Sequence, residues 1–213
     1  MKYINTALLG LVFAAISVTS QAAIINDASG SSFRDNWQGV VGVNFQINGA
    51  DIDVNALGFE DLGLDGLELV QEVGIWDNVG TLLASVNVPS GIGGILVGDW
   101  RYAMLASTLT LLDGNSYTVG ALVNNTSGNG WTDGTNSTLF SFDSSVLGSG
   151  FVGVYNQGSS LTFPSLNGGG SILRWAPANA TFIPTNAVPA PATITIFALS
   201  LLGLSLGRFK RQA

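Results

Sequence analysis

The chain contains no cysteine and no histidine. Their absence removes the thiol nucleophile, the imidazole base and the Ser-His-Asp triad, and it leaves zinc, iron and copper without their usual nitrogen and sulfur ligands. Lysine is nearly as scarce, with Lys2 and Lys210 near the two ends and none between. Schiff-base chemistry and the P-loop lysine are thereby excluded from the body of the chain. Without cysteine no disulfide framework exists, and a body of this size does not need one, since about 150 residues bury roughly 70% of their unfolded surface.

Positive charge is the next shortage. Residues 23–187 hold three arginines, Arg34, Arg101 and Arg174, against all 14 acids, a net charge of −11. Such a body repels nucleic acid and anionic lipid, so nucleic acid is not an expected partner. Carboxylate chemistry, oxygen-ligated cations such as Ca²⁺ and plain binding remain open.

The long apolar runs lie at the ends. Residues 1–22 combine Lys2, an apolar stretch over 7–18 and the small-residue exit Ser20-Gln21-Ala22. This layout predicts a secretory signal peptide cleaved after Ala22, in competition with a first core helix or an uncleaved anchor. At the other end the polar, proline-punctuated segment 185–191 leads into the apolar run 192–207 and the basic residues Arg208, Lys210 and Arg211. Sixteen residues make a helix of about 24 Å, short for a hydrocarbon core of about 30 Å but sufficient with basic residues at its end. The basic cluster acts as a membrane stop and keeps the C-terminus cytoplasmic, with the acidic body outside. The predicted organisation is signal peptide 1–22, body 23–184 and tail 185–213 with a transmembrane helix over 192–207.

Val188-Pro189-Ala190-Pro191-Ala192-Thr193, the apolar run with Leu201-Leu202-Gly203-Leu204 and the basic terminus together resemble a PEP-CTERM sorting signal. Ala190 departs from that pattern, standing where the glutamate of Pro-Glu-Pro is usual. The resemblance implies recognition by an exosortase, a membrane cysteine transpeptidase of Gram-negative bacteria, and a surface protein linked to exopolysaccharide and biofilm. An ordinary single-pass tail anchor is the other reading.

Period-two alternation dominates the body. Val41, Val43, Phe45 and Ile47 alternate with Gly42, Asn44, Gln46 and Asn48, and the same pattern recurs over Leu82, Ala84, Val86 and Val88 and over Tyr117, Val119, Ala121 and Val123. Turn pairs such as Asn48-Gly49, Asp65-Gly66 and Asp113-Gly114 separate these runs. Strands with one buried face and glycine turns predict an all-β fold, an antiparallel β-sandwich or jelly roll of about eight to ten strands. An outer-membrane barrel needs longer strands and aromatic girdles and would not carry a C-terminal helical anchor. Leu57-Gly58-Phe59-Glu60-Asp61, Val73-Gly74-Ile75-Trp76-Asp77 and Trp100-Arg101-Tyr102, within residues 40–123, resemble a β-sandwich domain of unknown function that often precedes such tails. That resemblance implies a fold and a setting, and no activity.

Two clusters are candidates for chemistry. Six acids fall between Glu60 and Asp77. Gly66 permits a tight turn that brings Asp61 and Asp65 together around one Ca²⁺, although the spacing of an EF-hand is absent; the alternative is a solvated acidic loop. Trp131 lies in the polar segment Asn129-Gly130-Trp131-Thr132-Asp133. An exposed indole there would stack on a sugar ring while Asn129 and Asp133 bind its hydroxyls, unless Trp131 folds back as a lid on the core. Trp76 and Trp100, in apolar alternation, are expected to be buried. The leading expectation is a non-enzymatic exported surface protein, structural or adhesive, with no cofactor beyond a candidate Ca²⁺. A carbohydrate-binding module is the alternative, and a glycosidase with two facing carboxylates is a third reading.

Overall fold

The computed structural model describes residues 22–28, 33–124, 129–132, 140–142, 152–168 and 177–183, all inside the unit 20–186. The alternating runs become strands: Val41, Val43 and Phe45 lie in β4 (Gly39–Gln46), and Tyr117, Val119, Ala121 and Val123 in β10 (Ser116–Val123), every one of them buried. The remaining strands are β1 (Ala22–Ala23), β2 (Ile25–Ala28), β3 (Phe33–Arg34), β5 (Ile52–Glu60), β6 (Gln71–Asp77), β7 (Leu82–Val88), β8 (Ile95–Val97), β9 (Trp100–Leu111), β11 (Trp131–Thr132), β12 (Phe140–Phe142), β13 (Val152–Tyr155), β14 (Leu166–Asn167) and β15 (Ala178–Ile183). No helix occurs among the described residues.

Two antiparallel sheets carry the fold, as in a β-sandwich. One has the order β1-β15-β5-β9-β8 and the other β14-β13-β4-β10-β6-β7; β3 pairs with β11 and β2 with β12 outside them. One apolar cluster draws on both sheets, with Val43, Phe45, Ile75 and Val119 from one and Val54, Leu57, Phe59 and Ala180 from the other. Among the described residues there are fifteen strands, eleven of them in the two sheets, against the eight to ten expected. The excess comes from strands of two or three residues, too short to show a period. The alternation in β7 buries less than expected, because β7 is an edge strand; Leu82 is 46% exposed and only Val88 reaches full burial.

The six-stranded sheet is covered on both faces. Gly42, Gly120 and Gly74 lie side by side across β4, β10 and β6, on the face opposite the shared cluster, because side chains alternate along each strand. Trp76 lies over this glycine row: a Cβ added at Gly74 would come within 2.8 Å of its ring, and one at Gly120 within 3.4 Å. Phe163 packs against the same indole at 6.3 Å between ring centres, and Leu161 closes over Gly74. Trp76 is thus buried as expected, but beneath the segment after β13 and not between the sheets. Trp100 is in the shared cluster.

Candidate functional site

Asp61 follows β5 directly. Its N–H donates to the Asp99 carbonyl at 2.7 Å, which ties the end of β5 to the turn before β9. The Asp61 carboxylate accepts the Arg101 Nε–H at 2.6 Å and shares the Gly66 N–H between its two oxygens at 3.1 and 3.2 Å. Both side chains of the ion pair are buried. Gly63, Leu64 and Gly66 bend the intervening loop through positive φ, and Leu64 at 62° is the one without glycine's freedom. The Asp61 carboxylate, expected with Asp65 as a calcium ligand, is engaged by Arg101 and the Gly66 N–H. The guanidinium occupies the place beside Asp61 that a cation would take, and Asp65 is exposed on the loop. Among the described residues no group of three or more acids is arranged to hold a metal ion.

The neighbouring acid is the unusual one. Glu60, the last residue of β5, is 1% exposed and accepts both the N–H and the hydroxyl proton of Thr132. Burial pushes its carboxyl up to about 7; the two Thr132 hydrogen bonds oppose that shift, and the negative charge of Asp99 adds to it. A carboxylate in an apolar site holds its proton because ionisation there forfeits solvation. Sequence reasoning grouped Glu60 with the five acids that follow it up to Asp77, as a candidate calcium loop or a solvated one, and nothing local to Glu60 signals burial. Tyr102, nearby on β9, is also buried, and burial first and Asp99 second raise its phenol well above the ordinary value.

Trp131 is 1% exposed and belongs to the shared apolar cluster. Strand β11 pairs with β3, Trp131 opposite Arg34, and Glu60 fixes Thr132. The lid arrangement, not the exposed platform, is what the fold builds, and an indole so buried offers no face to a sugar. Asn129 is likewise engaged: its Oδ1 accepts the Glu68 N–H and its Nδ2 donates to the Leu69 carbonyl. Asp133 lies outside the described residues.

Ala22 opens β1 and pairs with Phe182, and Ala23 pairs with Thr181. Residues 1–21, the motif Val188, Pro189, Ala190 and Pro191, the segment 192–207 and the basic residues Arg208, Lys210 and Arg211 all lie outside the described residues. No helix among the described residues is long and apolar enough to cross a membrane.

Sequence reasoning passed over a polar cleft of about 560 Å³ lined by Asn36, Trp37, Gln38, Gln157, Gly158 and Ser159. Its walls are the segment entering β4 and the segment leaving β13, which are neighbouring strands, Tyr155 opposite Val41. Asn156 locks the two walls together. Its Oδ1 accepts the Val40 N–H and its own N–H donates to the Val40 carbonyl, both at 2.9 Å. Its Nδ2 donates to Thr162 Oγ1 at 2.6 Å and to the Phe163 carbonyl at 3.1 Å. Gly39 permits the approach, since a Cβ there would fall 2.0 Å from the Asn156 carbonyl oxygen. Trp37 is held edge-to-face on Tyr155 at 5.4 Å, with the Arg34 guanidinium 5.6 Å from its ring centre. No carboxylate is among the described residues that line this cleft. No family model, curated protein or solved structure matches the chain.

Proposed function

We propose that this is an exported surface protein of a Gram-negative bacterium. A signal peptide over residues 1–22 delivers it, the apolar segment 192–207 holds it in the membrane, and an exosortase-type transpeptidase sorts it through Val188-Pro189-Ala190-Pro191. The body acts as a non-enzymatic structural or adhesive module linked to exopolysaccharide and biofilm. The observation that carries this reading is the three-part end of the chain: small residues and prolines, then sixteen apolar residues, then Arg208, Lys210 and Arg211. Two features of the body agree with it. Its described strands end at Ile183, upstream of the motif. Its net charge of −11 suits a domain kept away from anionic lipid.

Mass spectrometry of the mature protein from its host tests the proposal, since one spectrum reports both termini. The expected N-terminus is Ala23, which keeps the Ala23–Thr181 pair of β1. Exported protein that still begins at Met1 overturns the signal-peptide assignment. Loss of the host's exosortase-type enzyme should change the C-terminus or the surface display of the chain, and an unchanged outcome reduces the tail to a simple anchor.

A further inference from the structure

We propose that the cleft between residues 36–38 and 157–159 binds an uncharged oligosaccharide, a segment of a neutral polysaccharide chain. Its volume of about 560 Å³ lies within the range of about 300–1,000 Å³ usual for small-molecule sites. The lining selects the ligand class. Gln38 and Gln157 present amides, Asn36 an amide whose Oδ1 accepts the Arg34 Nε–H, Ser159 a hydroxyl and Trp37 an indole, and none of the described lining residues is charged. Amides donate and accept at once, which matches sugar hydroxyls that do the same. An indole offers the flat apolar surface that the C–H face of a pyranose requires. The nearby Arg34 guanidinium is engaged by Asn36 and the Trp37 ring, and an acidic glycan would meet the repulsion of a body charged −11.

The site is also rigid, which lowers the entropy lost on binding. Asn156 ties one wall to the other through Val40, and Tyr155 and Arg34 fix the Trp37 ring. Gln38 and Gln157 are exposed on the cleft, so their amides are open to a ligand. The inference concerns the body alone and goes beyond the sorting proposed above: failure to bind glycan leaves that sorting intact, and failed sorting leaves the cleft intact.

The test is calorimetric titration of the full chain in detergent micelles with cellohexaose, maltohexaose and mannohexaose, and with an oligogalacturonate as the acidic counterpart. At least one neutral hexasaccharide should bind with a dissociation constant of about 0.1–1 mM. The Gln38→Ala, Gln157→Ala double variant should weaken that binding about tenfold with an unchanged melting temperature, and Trp37→Ala should weaken it further. Three results would overturn the proposal: no heat with any neutral hexasaccharide, binding of the oligogalacturonate alone, or equal affinity in wild type and the double variant.

Discussion

Glu60→Gln should make the protein more stable at neutral pH and remove one component of its pH dependence. The folded Glu60 carboxyl titrates near 7, against 4.5 for the ordinary group. Between those values the folded chain binds more protons than the unfolded one, so stability falls as pH rises. The favourable contribution is fully present below about 4.5 and is lost as pH passes through about 7. The gap corresponds to about 3 kcal/mol at about 1.4 kcal/mol per pKa unit. Glutamine reproduces the protonated acid: its Oε1 accepts the Thr132 N–H and its Nε2 donates to Thr132 Oγ1. The assay is urea unfolding of both chains, followed by tryptophan fluorescence, at steps from about pH 4.5 to about pH 8. Subtracting the two curves cancels every group they share, Asp99 and the Asp61–Arg101 pair included. The stability advantage of the variant should grow by about 3 kcal/mol across that range, a midpoint shift of about 1.5 M for a slope near 2 kcal/mol per M. Parallel curves would refute the reasoning, because they would mean that Glu60 carries the same proton occupancy folded and unfolded.

Asp61→Asn leaves Arg101 buried without its counter-charge and should cost about 3–5 kcal/mol in the same unfolding assay; a loss under about 1 kcal/mol would mean that the guanidinium reaches water. Since Asp61 is committed to Arg101, millimolar Ca²⁺ should shift the melting temperature of wild type and Asp65→Asn equally, and a shift confined to wild type would restore the calcium reading. Trp131→Ala should cost about 3–5 kcal/mol of stability while leaving hexasaccharide affinity unchanged at a temperature where the variant is folded; the reverse pattern would return Trp131 to the surface.

Local pattern was enough to show that the described part of the body is all-β, because period-two alternation reflects the pleat of each strand and does not depend on its partners. Val43, Phe45, Val119 and Ala121 could be assigned to a buried face on that ground alone, as could Trp76 and Trp100 to the interior. Missing residue types bounded the chemistry for the same reason: composition is not changed by folding. What tertiary structure decided is which distant groups meet. Asp61 finds Arg101 40 positions away, Glu60 finds Thr132 72 away and Asn156 finds Val40 116 away. Each encounter depends on strand order and register, which are set by the match of buried faces and turns across the whole sheet and not by the residues next to each side chain. The same acidic stretch therefore holds a buried, proton-retaining Glu60, an ion-paired Asp61 and a solvated Asp65, and Trp37 gains a cleft that nothing adjacent to it in the chain announces.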